Sequence, residues 1–532
     1  MRSSQQQNLD DEAQLQALGH KGELQRNFSL LSMLGLAFAI LNSWTALSSS
    51  LGLALPSGGS TSVIWGLLTA GICNLALAAS LAEFLSAYPT AGGQYHWVAV
   101  ITPKKWVPLA SFITGWINVS GWVALTTSGG LLASQLISGL IALWHPDFSL
   151  HPWQVWLIYV AWTLIAFVIN AFMNSLLPYI NRAAFIWSIG GFAVICITVL
   201  ACASPDFASA EFVFTKFINE TGWPDGIAWL LGLLQGGFGL TGYDAVAHMI
   251  EEIPNASVEG PKIMIYCVGI GTVTGFIFLM VLLFVSGGDA ASIISAAPGP
   301  ILQILFNATK SRAGATCLLM FPLVCILFAE TAIMTTSSRM TYAFARDGGL
   351  PFSNFFAKVH PRLGQPLNAL ILAATLAILF GLILIGSSSA FNALISASVV
   401  ALGVSYAIPV AINLVRGRKM LGSRPFALPE PLGWVANIIG VTYTIITTVL
   451  FLFPPQLPVT ASNMNYCVVA FGIILFISTF QWFVDGRKNF KGPRTDMGLE
   501  VLEAIGSHQQ DGVEPGPLKA TDDEADSHII KP

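Results

Sequence analysis

The chain has 532 residues, 54% of them hydrophobic and only 10% charged, against about 25% charged in an ordinary soluble domain. Too few polar groups are present to cover a water-exposed surface, so lipid is the expected solvent. A formal charge of −4 gives no reason to expect a nucleic-acid partner.

Residues 1–27 are polar and mixed in charge, and the apolar stretch after them is too long for the core of a cleaved signal peptide. The first span is therefore expected to act as an uncleaved membrane signal. A span needs roughly 20 apolar residues. Twelve are placed, at 29–55, 61–86, 107–142, 153–175, 179–202, 226–250, 263–287, 314–340, 366–386, 390–414, 433–453 and 463–484. "IGSSSAFN" (385–392) and "FPPQLPV" (453–459) divide two uncharged runs that are each too long for one helix. The run 106–146 is read as one long tilted helix, with a helix plus a re-entrant piece as the alternative. Seven cysteines lie scattered in apolar stretches without CxxC spacing, and read as small core residues. The polar C-terminal tail, from about 495 onward, is expected to be disordered.

Charge fixes the orientation. With twelve spans both tails lie on one side, and of 24 Lys and Arg residues only Lys216, Lys310 and Arg312 fall on the other. That bias predicts cytoplasmic termini, in the plasma membrane or alternatively the vacuolar membrane. Among the Asn-x-Ser/Thr sequons, only Asn219 and Asn307 fall in expected external loops.

Two spans look interrupted. The sixth reads "GIAWLLGLLQGGFGLTGYDAVAHMIEE", and glycine costs about 1 kcal/mol per residue in a helix. Gly236, Gly237 and Gly239 together make local unwinding cheap, although close packing of helices through small residues is the alternative. Gly237, Gly239 and Gly242 formally match G-x-G-x-x-G, but no strand precedes them, which excludes a dinucleotide fingerprint. The first span carries "NSWT" and "SSS" near its centre. Those hydroxyls mark either a break or serines back-bonded to their own helix. The two suspect spans open two blocks of five, helices 1–5 and 6–10, and matching interruptions point to the central site of an inverted-repeat transporter.

Ionisable groups inside a membrane are costly and usually face a cavity or a relay. Asp244 and His248 are i,i+4 neighbours if helix resumes near Tyr243. Glu251 and Glu252 follow, either solvated at the cytoplasmic boundary or paired with Lys262. Glu83, near the inner end of helix 2, suits a gate closed on Arg182 or Arg339. Glu330, well inside helix 8, suits either proton coupling or a neutral, hydrogen-bonded structural role. Thr335, Thr336, Ser337 and Ser338 offer oxygens for a sodium ion or for helix–helix hydrogen bonds.

"YPTAGGQYHW" (88–97), "FGLTGYDAVAHMIEE" (238–252) and "SSRMTYAFARDGGLP" (337–351) resemble the signatures of the amino acid–polyamine–organocation transporters, most closely the fungal branch of GABA, choline and amino-acid permeases. The resemblance runs from about Phe28 to Arg494. It implies an all-α membrane protein with a 5+5 inverted repeat (28–205 and 206–415), two further helices (416–486) and cytoplasmic tails at 1–27 and 487–532. It also implies alternating access around a site between helices 1, 3, 6, 8 and 10. Carried over by position, the unwound parts are Thr45 to Ser50 and Gly236 to Thr241, whose amides would face a substrate carboxylate. The chain departs from many relatives in offering Ser48, Ser49 and Ser50 where they have glycines. Trp44, Phe238, Tyr243 and Trp122 are the candidate walls, and aromatic faces with Asp244 suit a cationic amine.

The expected function is secondary active transport of a small amine-bearing solute, such as an amino acid, GABA or choline, driven by protons. The alternative is a nutrient sensor built on a transporter frame and signalling through its tails. No HExxH, GxSxG or Walker A pattern and no clustered metal ligands occur, so no enzymatic activity, ATPase activity, metal or cofactor is expected. The sequence leaves the oligomeric state open.

Overall fold

The structure, a computed structural model, describes residue 35 and residues 39–386 and 389–493. The N-terminal tail, most of residues 29–38 and the C-terminal tail beyond residue 493 lie outside the described residues. Among the described residues all regular elements are helical, and the only pairings of extended chain are isolated bridges at Ser57–Asn219 and His360–Gln365.

Ten described helices are long and apolar enough to cross a bilayer. They are preceded by two short helices, α1 (Ser43–Ser49) and α2 (Leu51–Ala54). Then come α3 (Gly59–Ala87), the short α4 (Gln94–Ile101), α5 (Lys104–Trp144), α6 (Pro152–Phe172) and α7 (Asn174–Ala203). The second half begins with the shorter α8 (Asp225–Gly239) and α9 (Ala245–His248). It continues with α10 (Ala256–Phe284), α11 (Arg312–Arg346), α12 (Leu367–Gly386), α13 (Phe391–Val415), α14 (Glu430–Leu450) and α15 (Cys467–Asn489). Lipid offers no hydrogen bonds to the main chain, so each apolar run satisfies its own as a helix. Pro152 and Pro431 sit in the first turns of α6 and α14, where a missing N–H is harmless.

The run 106–146 is one helix: α5 has 41 residues. At 1.5 Å per residue it is roughly 60 Å long, about twice the hydrocarbon thickness, so it must tilt or project. With α13 it is the most buried of the long helices: 72% of the apolar part of α13 and 67% of that of α5 are buried, against 28% in α6 and α7 and 17% in α15. Helices α11 and α13 pack along α5. The outer helices present large apolar side chains such as Phe172, Ile197, Phe476 and Phe480 to the surroundings, as a lipid-facing layer requires.

The two expected spans missing from the continuous ten are the first and the sixth. Only part of the first is described. The sixth is two helices, α8 and α9, joined by five non-helical residues.

Candidate functional site

The break in the sixth span differs from the sequence expectation. Helix α8 runs through Gly236, Gly237, Phe238 and Gly239, and the chain leaves helical geometry only at Leu240–Asp244. The glycines serve the packing alternative. A Cβ on Gly236 would stand 2.9 Å from Ala70 Cβ, and one on Gly239 would stand 2.5 Å from Leu47 Cγ. Tertiary contact with α3 and α1 outweighs their weak helix propensity. Thr241, expected within the break, lies just after α8 and donates its hydroxyl to the Gly237 carbonyl at 2.7 Å. The residue that forces the break is Gly242, at φ +99°, a conformation that side chains oppose. Past it, the N–H groups of Gly242, Tyr243 and Asp244 have no main-chain acceptor among the described residues.

The first span also breaks elsewhere. Thr45, Ser48 and Ser49 lie in regular helix α1, and the left-handed residue is Asn42, at φ 39°. Its carbonyl accepts from the N–H groups of Thr45 and Ala46. The Ser48 and Ser50 hydroxyls back-bond to the carbonyls of Thr45 (3.1 Å) and Ala46 (2.6 Å). Ser50 separates α1 from α2. Serine can satisfy itself on its own helix, as Ser48 and Ser50 do, whereas the Thr45 and Ser49 hydroxyls have no hydrogen-bond partner among the described residues. Trp44 is fully buried. Its indole N–H donates to Ser188 Oγ at 2.8 Å, and its ring lies 4.7 Å from Phe278.

Asp244 is the hub of the buried polar network. Its Oδ2 accepts from Gln94 (2.9 Å), Asn118 (3.4 Å) and Trp122 (3.3 Å), and lies 3.0 Å from His248 Nε2. Its Oδ1 accepts from the Tyr406 hydroxyl. Side chains of α4, α5, α9 and α13 therefore converge on one fully buried carboxylate. Tyr243 packs on Tyr406 at 4.9 Å, and Trp122 meets the His248 ring edge-on at 5.8 Å. The contacts crowd Oδ2, whereas Oδ1 accepts only from Tyr406 and keeps a second lone pair. Gln94, Asn118 and Tyr406 were not singled out in the sequence. Their signal was a polar side chain isolated on an apolar helix or, for Gln94, inside the "AGGQYHW" motif.

The expected gate partners are corrected. Glu83 pairs with neither Arg182 nor Arg339. It is bound by Arg418 (2.8 Å), Arg424 (2.6 Å) and the Leu428 N–H (3.1 Å), because the segment after α13 folds under the end of α3. Glu251 and Glu252 are buried and do not pair with Lys262, which binds Glu259 instead. Glu251 is paired with Arg346 at 3.3 Å and Glu252 with Arg339 at 3.2 Å. Three buried acids thus pair with four arginines. Between α8, α13, α14 and the α2 region, a cleft of about 70 Å³ is lined by Leu53, Leu231, Leu234, Ser396 and Phe451.

Glu330 is fully buried on α11, and neither carboxyl oxygen has a hydrogen-bond partner among the described residues. It fits against Gly129, where a Cβ would come 2.9 Å from Glu330 Cβ. Three of the four hydroxyls that follow, Thr335, Thr336 and Ser338, bond to carbonyls of their own helix, and Thr335 also binds Asn170 of α6. Most of these hydroxyls are thus spent within their own helix, and Thr335 alone reaches across to α6. Among the described residues no three His, Cys, Asp or Glu side chains group as metal ligands. The sequon Asn219 spends its amide on the Trp223 carbonyl and Asp225. Asn307 lies within the helix Pro300–Thr309.

Ten described helices, long and apolar enough to cross a bilayer and with apolar outer faces, around a core helix interrupted beside a buried acid, fit a multi-pass membrane transporter. The chain belongs to the amino acid permease family, whose family model matches residues 29–476, within the amino acid–polyamine–organocation superfamily. It is 35% identical to a choline transporter of Saccharomyces cerevisiae, over 91% of this chain and 86% of that protein. Amino-acid permease BAT1 of Arabidopsis thaliana is 32% identical, over 91% and 96% of the two chains. Amino-acid permease 2 of Neurospora crassa is 31% identical, over 90% and 88%.

Proposed function

We propose that this protein is a proton-coupled uptake permease for a small amine-bearing solute, an amino acid or choline. The observation that carries the reading is the split sixth span. Three consecutive amides without main-chain acceptors precede α9, beside a buried acid and imidazole. Such amides suit a carboxylate or hydroxyl of the solute. Tyr243, Tyr406 and Trp122 bring aromatic faces to the same place, each good cation–π contact contributing roughly 0.5–2 kcal/mol to an ammonium. The relatives' names, amino-acid permeases and a choline transporter, favour the same substrate class.

In this reading the end bearing Arg339, Arg346, Arg418 and Arg424 is cytoplasmic, as the bias of basic residues requires. The conformation is inward-closed, and two five-helix repeats rock around the site. Asp244 and His248 carry the coupling charge, Glu330 is a second candidate proton carrier, and Glu83 belongs to the inner gate. The test is uptake into vesicles of labelled amino acids, GABA, choline and polyamines under imposed proton or sodium gradients. Concentrative uptake of one amine under an inward proton gradient is expected. Uptake of every amine at the rate of protein-free vesicles refutes the proposal.

A further inference from the structure

His248 touches two different parts of the fold at once. Its Nδ1 lies 3.0 Å from the Ala91 carbonyl oxygen, and its Nε2 lies 3.0 Å from Asp244 Oδ2. A carbonyl oxygen only accepts, so Nδ1 carries a proton. Four other donors already point at Asp244, an environment made for an ionised, acceptor-only carboxylate. A neutral ring protonated on Nδ1 would aim the Nε2 lone pair at that negative charge. The contact is attractive when a proton lies between Nε2 and Oδ2, and the four other donors aimed at the carboxylate favour that proton on the ring side. The geometry thus suits an imidazolium facing an ionised Asp244.

Ala91 is the second half of the device. Its N–H donates to Glu251 Oε1 at 3.0 Å, and Glu251 is paired with Arg346. One residue thus bonds to the imidazole through its carbonyl and to the ion pair at the closed end through its amide. The turn seats this closely because of Gly93. It has φ +55°, and a Cβ there would stand 2.9 Å from His248 Cε1.

We infer that His248 is a proton-binding latch: as an imidazolium it holds the turn 88–93 against α9 and keeps the inner end shut. The inference rests on the proton-coupled reading above and deepens it. When the ring loses a proton, it keeps only one of its two bonds. The charge-assisted bond to Asp244 is the stronger, so the Nδ1 proton leaves and the Nδ1 lone pair then opposes the Ala91 carbonyl. The turn is released, and with it the amide that braces Glu251. Proton loss toward the inside and opening of the inside become one event. Among the described residues Asp244 is the charged group in hydrogen-bond contact with the ring. Tyr243 on the break, Tyr406 of α13 and Cys267 of α10 lie near Asp244. Beyond Ala91 lie Glu251 and Arg346 of α11.

The test is hydrogen–deuterium exchange of residues 88–97 in the full-length protein in lipid nanodiscs over a pH series, corrected for the intrinsic exchange rate. Wild-type protection of the turn is expected to fall at least about tenfold as the imidazolium is lost, a local opening of the kind exchange reads. His248→Gln keeps an N–H for Ala91 but cannot titrate, so its protection is expected to stay flat with pH. Glu251→Gln keeps an acceptor for the Ala91 N–H and removes the charge facing Arg346. It is expected to lower protection at every pH while retaining the slope. A flat wild-type profile, or an unchanged slope in His248→Gln, overturns the latch. A slope lost in Glu251→Gln places the titration at Glu251 and also overturns it. Vesicle uptake is read separately: pH-dependent protection without any response to a proton gradient refutes the coupling and leaves the latch standing.

Discussion

Removing the Glu83 carboxylate should open the inner end measurably. Glu83 and Arg418 are each 1% exposed as side chains, and Arg424 is 13% exposed. In Glu83→Ala, Arg418 keeps only the Gly433 carbonyl at 3.1 Å and Glu430 at 3.4 Å, the latter 62% exposed. Arg424 keeps two carbonyls, of Leu421 and Gly422. Deleting one partner of a buried ion pair costs about 3–5 kcal/mol, because it strands the other charge. The Leu428 N–H loses its acceptor as well. At about 1.4 kcal/mol per tenfold, the segment from Arg418 to Leu428 should lose roughly two to three and a half decades of hydrogen-exchange protection, since exchange reads local opening. The measurement is exchange mass spectrometry on Glu83→Ala, Arg418→Met and the double variant, which forms a thermodynamic cycle. Relieving the stranded Arg418 charge should restore at least a decade in the double variant. A loss under about threefold in Glu83→Ala, or a double variant no better than the single, would refute the argument that this carboxylate clamps the closed end.

Three further outcomes are expected. Asp244→Asn should lower uptake at least about tenfold at unchanged expression, because an amide cannot accept from five donors; wild-type transport kinetics in that variant would remove Asp244 from the mechanism. Gly239→Ala, with its Cβ 2.5 Å from Leu47, should destabilise the protein by about 1–3 kcal/mol as an overpacked contact. Gly237→Ala, whose nearest neighbour is the Tyr443 hydroxyl at 3.3 Å, should lower the thermal midpoint far less, and equal midpoints would contradict the packing assigned to these glycines. Trp44→Phe loses the bond to Ser188, about 1 kcal/mol of stability, and should leave the substrate KM unchanged. A selective rise in KM would return Trp44 to the binding site.

Composition and span length determined the solvent, the helical class and the limits of most long helices. The reason is that a chain in lipid has almost no alternative to closing its hydrogen bonds locally. The expected span 61–86 is found as Gly59–Ala87, and 153–175 as Pro152–Phe172. The sequence also marked the sixth span as weak. Where it gives way was decided by packing. Gly236 and Gly239 stay helical because α3 and α1 need the room they leave, and Gly242 breaks the chain because its backbone turns to positive φ. Polar partners were the least legible part. Glu83 meets Arg418 and Arg424, more than 300 residues away in sequence, and Asp244 gathers side chains from four helices. Periodicity specifies which face of a helix is polar, whereas which faces meet depends on how all the helices pack together.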